Sequence, residues 1–218
     1  MAGNSQKWTT FYSRGMQSTG TLAGGRSWQA TVDMPPALVA ALYVRDASGL
    51  EVGVDTAVPA LEPRVELDGD LVRHATEQAT AAWAPWWGGL LERHPEFRGV
   101  PPLVPDPIPE LPVDLRALIA IGLPGADAWF RARKSEDIDV IRREGRPRMP
   151  PVSEVVRQVE DELGRVAAPF DLLISILPVT GLWGRRVARD HVLASRALSD
   201  YDAGFAALLE PVVRELAT

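Results

Sequence analysis

The chain has 218 residues, 46% of them hydrophobic and 24% charged, and a formal net charge of -6 at pH 7. That is the composition of a globular protein of one large domain or two small ones, with enough apolar material for a core. The acidic balance argues against nucleic acid or an anionic membrane as a partner, and the absence of cysteine excludes disulfides, thiol catalysis and cysteine-ligated zinc.

Residues 1–26 are polar and rich in Gly, Ser and Thr, which predicts an N-terminal arm without a core of its own. Its sizeable anchors are Trp8, Phe11 and Tyr12, together with Met16 and Leu22. Trp8, Phe11 and Tyr12 are the candidates for docking on a partner subunit, because aromatic residues dominate binding hot spots. No apolar h-region follows Met1, so no signal peptide is read, and the expected location is cytoplasmic.

From Trp28 the pattern turns to β. Trp28, Ala30 and Val32 alternate with polar neighbours, and apolar runs on both sides of Asp46-Ala-Ser-Gly49 predict a hairpin. A helix beginning at Pro35-Pro36 is the competing reading for residues 37–45. Residues 70–94 predict a helix, with Asp68 and Asp70 at its N-terminus and Pro85 as a kink or stop. Six prolines then fall between Pro101 and Pro112. Each fixes φ and lacks an N–H, so residues 100–112 must run extended as a strap, with Trp83, Trp86 and Trp87 as the nearest cover.

Val113–Ile121 is a short apolar segment stopped by Gly122 and Pro124, and Ala126–Arg143 is a second, charged helical stretch. Val152, Val155, Val156, Val159, Leu163 and Val166 repeat at helical spacing and predict one buried face. Phe170–Leu177 predicts a strand, and residues 187–198 its antiparallel partner or a helix. Asp200–Leu216 predicts a final helix with Ser199 as N-cap. The fold class is therefore α+β: a β-rich N-terminal part with a hairpin, a helical middle, and a C-terminal strand pair and helix, joined by the proline-rich segment. Beyond the arm, residues 27–218 read as one domain.

Residues able to carry chemistry are few. Trp83, Trp86 and Trp87 share a helical face, which suits a core, a partner surface or a ligand pocket. Arg185, Arg186 and Arg189 offer bidentate forks for an anion, with Asp190 and Asp171 at hand to neutralise them. His74 and Glu77, three apart, resemble half of a metal face without a second half, and His94 lies beyond it, so neither metal nor cofactor is expected. His191 and Ser195 would share a helical face, but no third group is placed to orient the base. Residues 131–148 hold seven basic and four acidic side chains, a solvated mixed face before it is a nucleic-acid patch. Leu177-Pro-Val-Thr-Gly181 matches a sorting signal in letters but lacks the apolar span and basic tail that must follow one.

Arginine outnumbers lysine 21 to 2, which reads as the coding bias of a GC-rich bacterial genome. Missing catalytic constellations and plentiful tryptophan and arginine point to a non-catalytic interaction or structural subunit of a bacterial cytoplasmic assembly. Its partners would be other protein subunits, copies of itself included. The alternative is an enzyme or small-molecule-binding protein with a cleft lined by tryptophan and an arginine anion anchor.

Overall fold

Seven helices and five strands form among the described residues, an α+β arrangement. The computed structural model describes residues 16–22, 25–53, 58–93, 111–144 and 151–218, with most side chains from Trp28 onward. In chain order the elements are β1 (Met16–Leu22), β2 (Gly25–Asp33), α1 (Pro36–Ser48), α2 (Gly69–His74), α3 (Glu77–Arg93), α4 (Val113–Glu144), α5 (Val152–Leu163), β3 (Phe170–Leu177), β4 (Gly184–Ala188), β5 (His191–Ser195), α6 (Arg196–Ser199) and α7 (Asp202–Leu216). They fall into two compact units. One contains the chain up to Met34, Arg148–Leu177 and Gly181–Thr218, and the other contains Pro35–Pro147 with Pro178–Thr180. Trp8, Phe11, Tyr12, His94 and all of the proline strap before Leu111 lie outside the described residues.

The first unit is a five-stranded mixed sheet in the order β1-β2-β3-β5-β4. Both β2–β3 and β3–β5 are parallel, while β1 and β4 close the edges antiparallel. Period-2 alternation decides its two faces. Trp28, Ala30 and Val32 of β2 share a face with Leu172 and Ile174 of β3 and with Val192 and Ala194 of β5. Against this face pack Val152, Val155, Val156 and Val159 of α5 and Phe205, Leu209, Val212 and Val213 of α7. Each such side chain, fully buried, contributes about 1.5–3 kcal/mol.

Four expectations change here. Met16–Leu22, placed by composition in the polar arm, is a strand paired with β2. β5 runs parallel to β3, and its antiparallel partner is β4, joined to it by a tight turn at Arg189-Asp190. The valine helix ends at Leu163, because Gly164 takes the left-handed conformation at φ 64°, which leaves Val166 exposed. The helix N-cap moves as well: Ser195 caps α6, and α7 starts after Tyr201 rather than Ser199.

The second unit is helical. The hairpin expected around Asp46-Ala-Ser-Gly49 is the C-terminal turn of α1. Pro36 opens the helix, and Gly49, at φ 68°, closes it with the Leu50 amide bonded to the Arg45 carbonyl. The predicted helix over 70–94 is two helices, broken at Ala75-Thr76, where Thr76 Oγ1 takes the Ala79 amide at 3.1 Å. Pro85 sits inside α3 without ending it.

Likewise α4 runs through both expected stops, Gly122 and Pro124. Gly122 is there for contact: a Cβ built on it would stand 2.8 Å from Val44 Cγ2 of α1. Pro178–Thr180 joins this unit through an antiparallel bridge between Leu61 and Val179. That bridge buries the central valine of the sorting-signal look-alike. No described helix is long and apolar enough to cross a membrane.

Candidate functional site

The sheet face opposite the valine helix carries the most reactive side chains of the first unit. Asp33 ends β2 and stands in register with Ser175 of β3. His191 opens β5, two positions toward the N-terminus from the residue paired with Ser175. Ser175 Oγ lies 3.0 Å from His191 Nε2 and 3.4 Å from Asp33 Oδ1. A hydroxyl has one proton and two lone pairs. Donating to the Asp33 carboxylate, it accepts from His191 Nε2–H; donating to Nε2, it meets a neutral imidazole of the other tautomer.

A nucleophile and its base meet at this distance. The third group is on the other side, however. In an acyl-transfer triad the carboxylate holds the far nitrogen of the imidazole, whereas here it stands against the serine. Ser175 is 0% exposed and His191 2%. The arrangement is a buried hydrogen-bond network that ties three adjacent strands in one register. Of its members the sequence singled out only His191, and paired it with Ser195. Ser195 is on the same strand as His191, not on a helix, and is occupied elsewhere: its Oγ donates to the Gly181 carbonyl at 2.7 Å and accepts from the amides of Trp183 and Leu198.

The arginine cluster does not converge on one point. Strand alternation sends Arg185 to one face of β4 and Arg186 to the other. Arg186 Nη1 donates to Glu215 Oε2 at 2.6 Å, and Arg186 also holds the Ala188 and Arg189 carbonyls. Arg189 approaches the same carboxylate at 3.6 Å. The Arg186 hydrogen bond holds the Glu215 carboxyl below its ordinary range, and Glu215 in turn raises the Arg186 guanidinium.

Trp83, Trp86 and Trp87 are interior residues of the second unit, 0%, 5% and 4% exposed. Trp83 stacks on Trp87 with centroids 5.4 Å apart and donates its Nε1–H to the Ala41 carbonyl. Arg45, itself buried, lies over the Trp83 ring at 5.8 Å. It donates to the Val58 and Pro59 carbonyls and pairs with Asp46, whose other oxygen takes the Leu61 amide. This is a lock between α1 and the segment that follows it.

His74 and Glu77 sit on different helices, and His74 Nδ1 is bonded to the Asp70 carbonyl at 2.8 Å. Among the described residues no group of three or more His, Asp and Glu side chains is placed to hold a metal ion. The mixed-charge end of α4 is tied within itself by Asp127–Arg131, Arg133–Glu136 and Asp139–Arg142 pairs.

The described surface also carries exposed large apolar side chains. Leu182 is 64% exposed and Tyr201 51% in the first unit, and Leu67, Val72, Val113 and Ile121 are exposed in the second. Leu182 lies between Gly181 and Trp183, the two residues clamped by Ser195, so its position is fixed by the backbone. No protein-family model, curated protein or solved structure matches this chain.

Proposed function

We propose that the chain is a non-catalytic interaction or structural subunit of a cytoplasmic bacterial protein assembly. One observation carries this reading: the polar groups with catalytic potential are engaged internally, while large apolar side chains on rigid backbone face solvent. Ser175 and His191 are buried against each other, Arg186 and Arg189 share Glu215, and Leu182 and Tyr201 stand exposed. Exposed leucine and tyrosine held by fixed backbone are the anchors that protein interfaces use.

The native mass of the full chain in its source extract, and of the purified chain by size exclusion with light scattering, tests this directly. A mass above that of one chain is expected in the extract. A single-chain mass in both settings overturns the reading. The enzyme alternative has its own assay: a fluorophosphonate probe that labelled Ser175 in the folded chain would put a reactive nucleophile in place of the structural network.

A further inference from the structure

We infer that Asp68-Gly69 is a self-modification site, where the chain converts its own aspartate to isoaspartate and thereby releases the start of α2. Asp68 is the one aspartate of the sequence that is followed by glycine. Both residues are exposed. An aspartyl residue closes to a succinimide when the next backbone nitrogen attacks its side-chain carboxyl carbon. That step is intramolecular, and a side chain on the attacking residue hinders it. Glycine puts no Cβ in the way.

The fold makes no other use of this glycine. Gly49 and Gly164 take positive φ, and Gly122 and Gly184 have no room for a side chain. Gly69 has neither constraint: its φ is not positive, and a Cβ built on it would meet only Arg73 Nη1, at 3.8 Å. Alanine would suit the first turn of a helix better.

Asp68 is also where α2 is fastened. Its amide donates to the Ala47 carbonyl at 2.8 Å, and its carbonyl accepts from the Val72 amide at 2.8 Å. Its Oδ1 accepts from the Asp70 and Leu71 amides at 2.8 and 3.2 Å. Leu71, 1% exposed, is held by this cap against α4, where a Cβ built on Gly122 would meet its Cδ2 at 3.4 Å. With Asp68 at ψ 119°, the Gly69 nitrogen is turned away from the carboxyl carbon, so the ring closes only after the cap opens. A helix of six residues with an exposed cap belongs to the readily opened part of a structure.

In the opened state the Gly69 nitrogen bonds to Asp68 Cγ. The amide proton and the carboxyl hydroxyl leave together as water. Water then adds at the former main-chain carbonyl carbon and breaks its bond to nitrogen. The product keeps the composition and charge of the original chain, but its backbone runs through Cβ and Cγ. A methylene now lengthens the link between the Ala47 contact and α2. The free carboxylate sits directly on Cα, too short to cap the Asp70 and Leu71 amides.

The full chain, held at neutral pH and body temperature beside a synthetic peptide of residues 65–73, provides the test. Trypsin releases the same peptide from the chain by cutting after Arg64 and Arg73. Electron-transfer fragmentation, which separates isoaspartyl from aspartyl residues, reads both against unincubated samples. Isoaspartate is expected at 68 in the folded chain, more slowly than in the peptide, while Asp70 stays unchanged. Gly69→Ala should lose the isomer in chain and peptide alike. Asp68→Asn keeps a capping side chain and should convert faster, its side-chain nitrogen leaving as ammonia. In the converted fraction the Leu71 and Val72 amides should exchange about fivefold faster, the loss of one N-cap.

An unconverted Asp68 in the folded chain once the peptide has turned over would overturn the proposal. So would equal conversion at Asp70, or a Gly69→Ala chain that converts at the natural rate. Unchanged exchange of the Leu71 and Val72 amides in the converted fraction would overturn the release of α2.

Discussion

Gly122 of α4 and Val44 of α1 approach so closely that a side chain at 122 has no room: its Cβ would stand 2.8 Å from Val44 Cγ2, and Val44 is fully buried. Gly88 of α3 differs, with nothing within 4 Å of its Cβ position. Gly88→Ala should therefore stabilise the chain by about 1 kcal/mol through helix propensity. Gly122→Val should destabilise it by about 1–3 kcal/mol through overpacking. Urea denaturation of the two variants checks the sign of each, and a stabilised Gly122→Val would refute the close packing of α1 on α4.

Val159 is 0% exposed at the centre of the α5 face. Val159→Asp places an unpaired carboxylate among Val155, Val156 and the α7 side chains, a change that exceeds the usual single-mutation range of about 0.5–3 kcal/mol. The variant is expected to lose the cooperative melting transition of its unit. A soluble variant with an unchanged Tm would contradict the burial.

Ser175→Ala removes the hydroxyl that stands between His191 and Asp33. Losing a buried hydrogen-bonding partner costs about 1–3 kcal/mol. The cost should appear as a lower denaturation midpoint with an unchanged slope, since no surface is newly exposed in the native state. An unaltered midpoint would mean that the network contributes nothing to register.

Two exposed carboxylates give the chain a defined acid response. Glu215 is held low first by the Arg186 hydrogen bond, and Glu162 first by the Arg214 hydrogen bond, both below the ordinary value of 4.5. A carboxyl with a depressed folded-state pKa contributes stability above 4.5 and loses it as pH falls through the folded value. The gap in Tm between the natural chain and a Glu162→Gln, Glu215→Gln variant should be open near neutral pH and close on acidification. Both side chains are solvated, so the gap should also shrink with added salt. A gap that widened in acid would reverse the assignment.

The valine helix was legible because its signal is local: Val152, Val155, Val156 and Val159 repeat at helical spacing, and all four are buried. The strand at Phe170–Leu177 was legible for the same reason. Asp-Ala-Ser-Gly49 was not, since glycine after a polar turn closes a hairpin or a helix equally well, and only the burial of α1 residues Leu38 to Val44 decides between them. Gly122 and Pro124 read as stops because the sequence does not display the neighbour, Val44, that makes a glycine useful there. Ser175 carried no signal at all: it meets His191 across 16 residues and Asp33 across 142, through a strand register that no local pattern encodes.

That last separation has a temporal meaning. β2 is synthesised early and its parallel neighbour β3 late, with the residues of the helical unit between them. Closing so long a span before any strand contact forms is entropically slow. During vectorial synthesis Pro35–Pro147 emerges as a nearly complete folding unit, while the sheet still lacks its third strand. The helical unit receives its last piece, Pro178–Thr180, only after β3 has left the ribosome. Nascent chains halted before Phe170 would therefore hold an early-folding helical unit beside a waiting hairpin, and the edge pairing of β4 with β5 would be among the last steps of maturation.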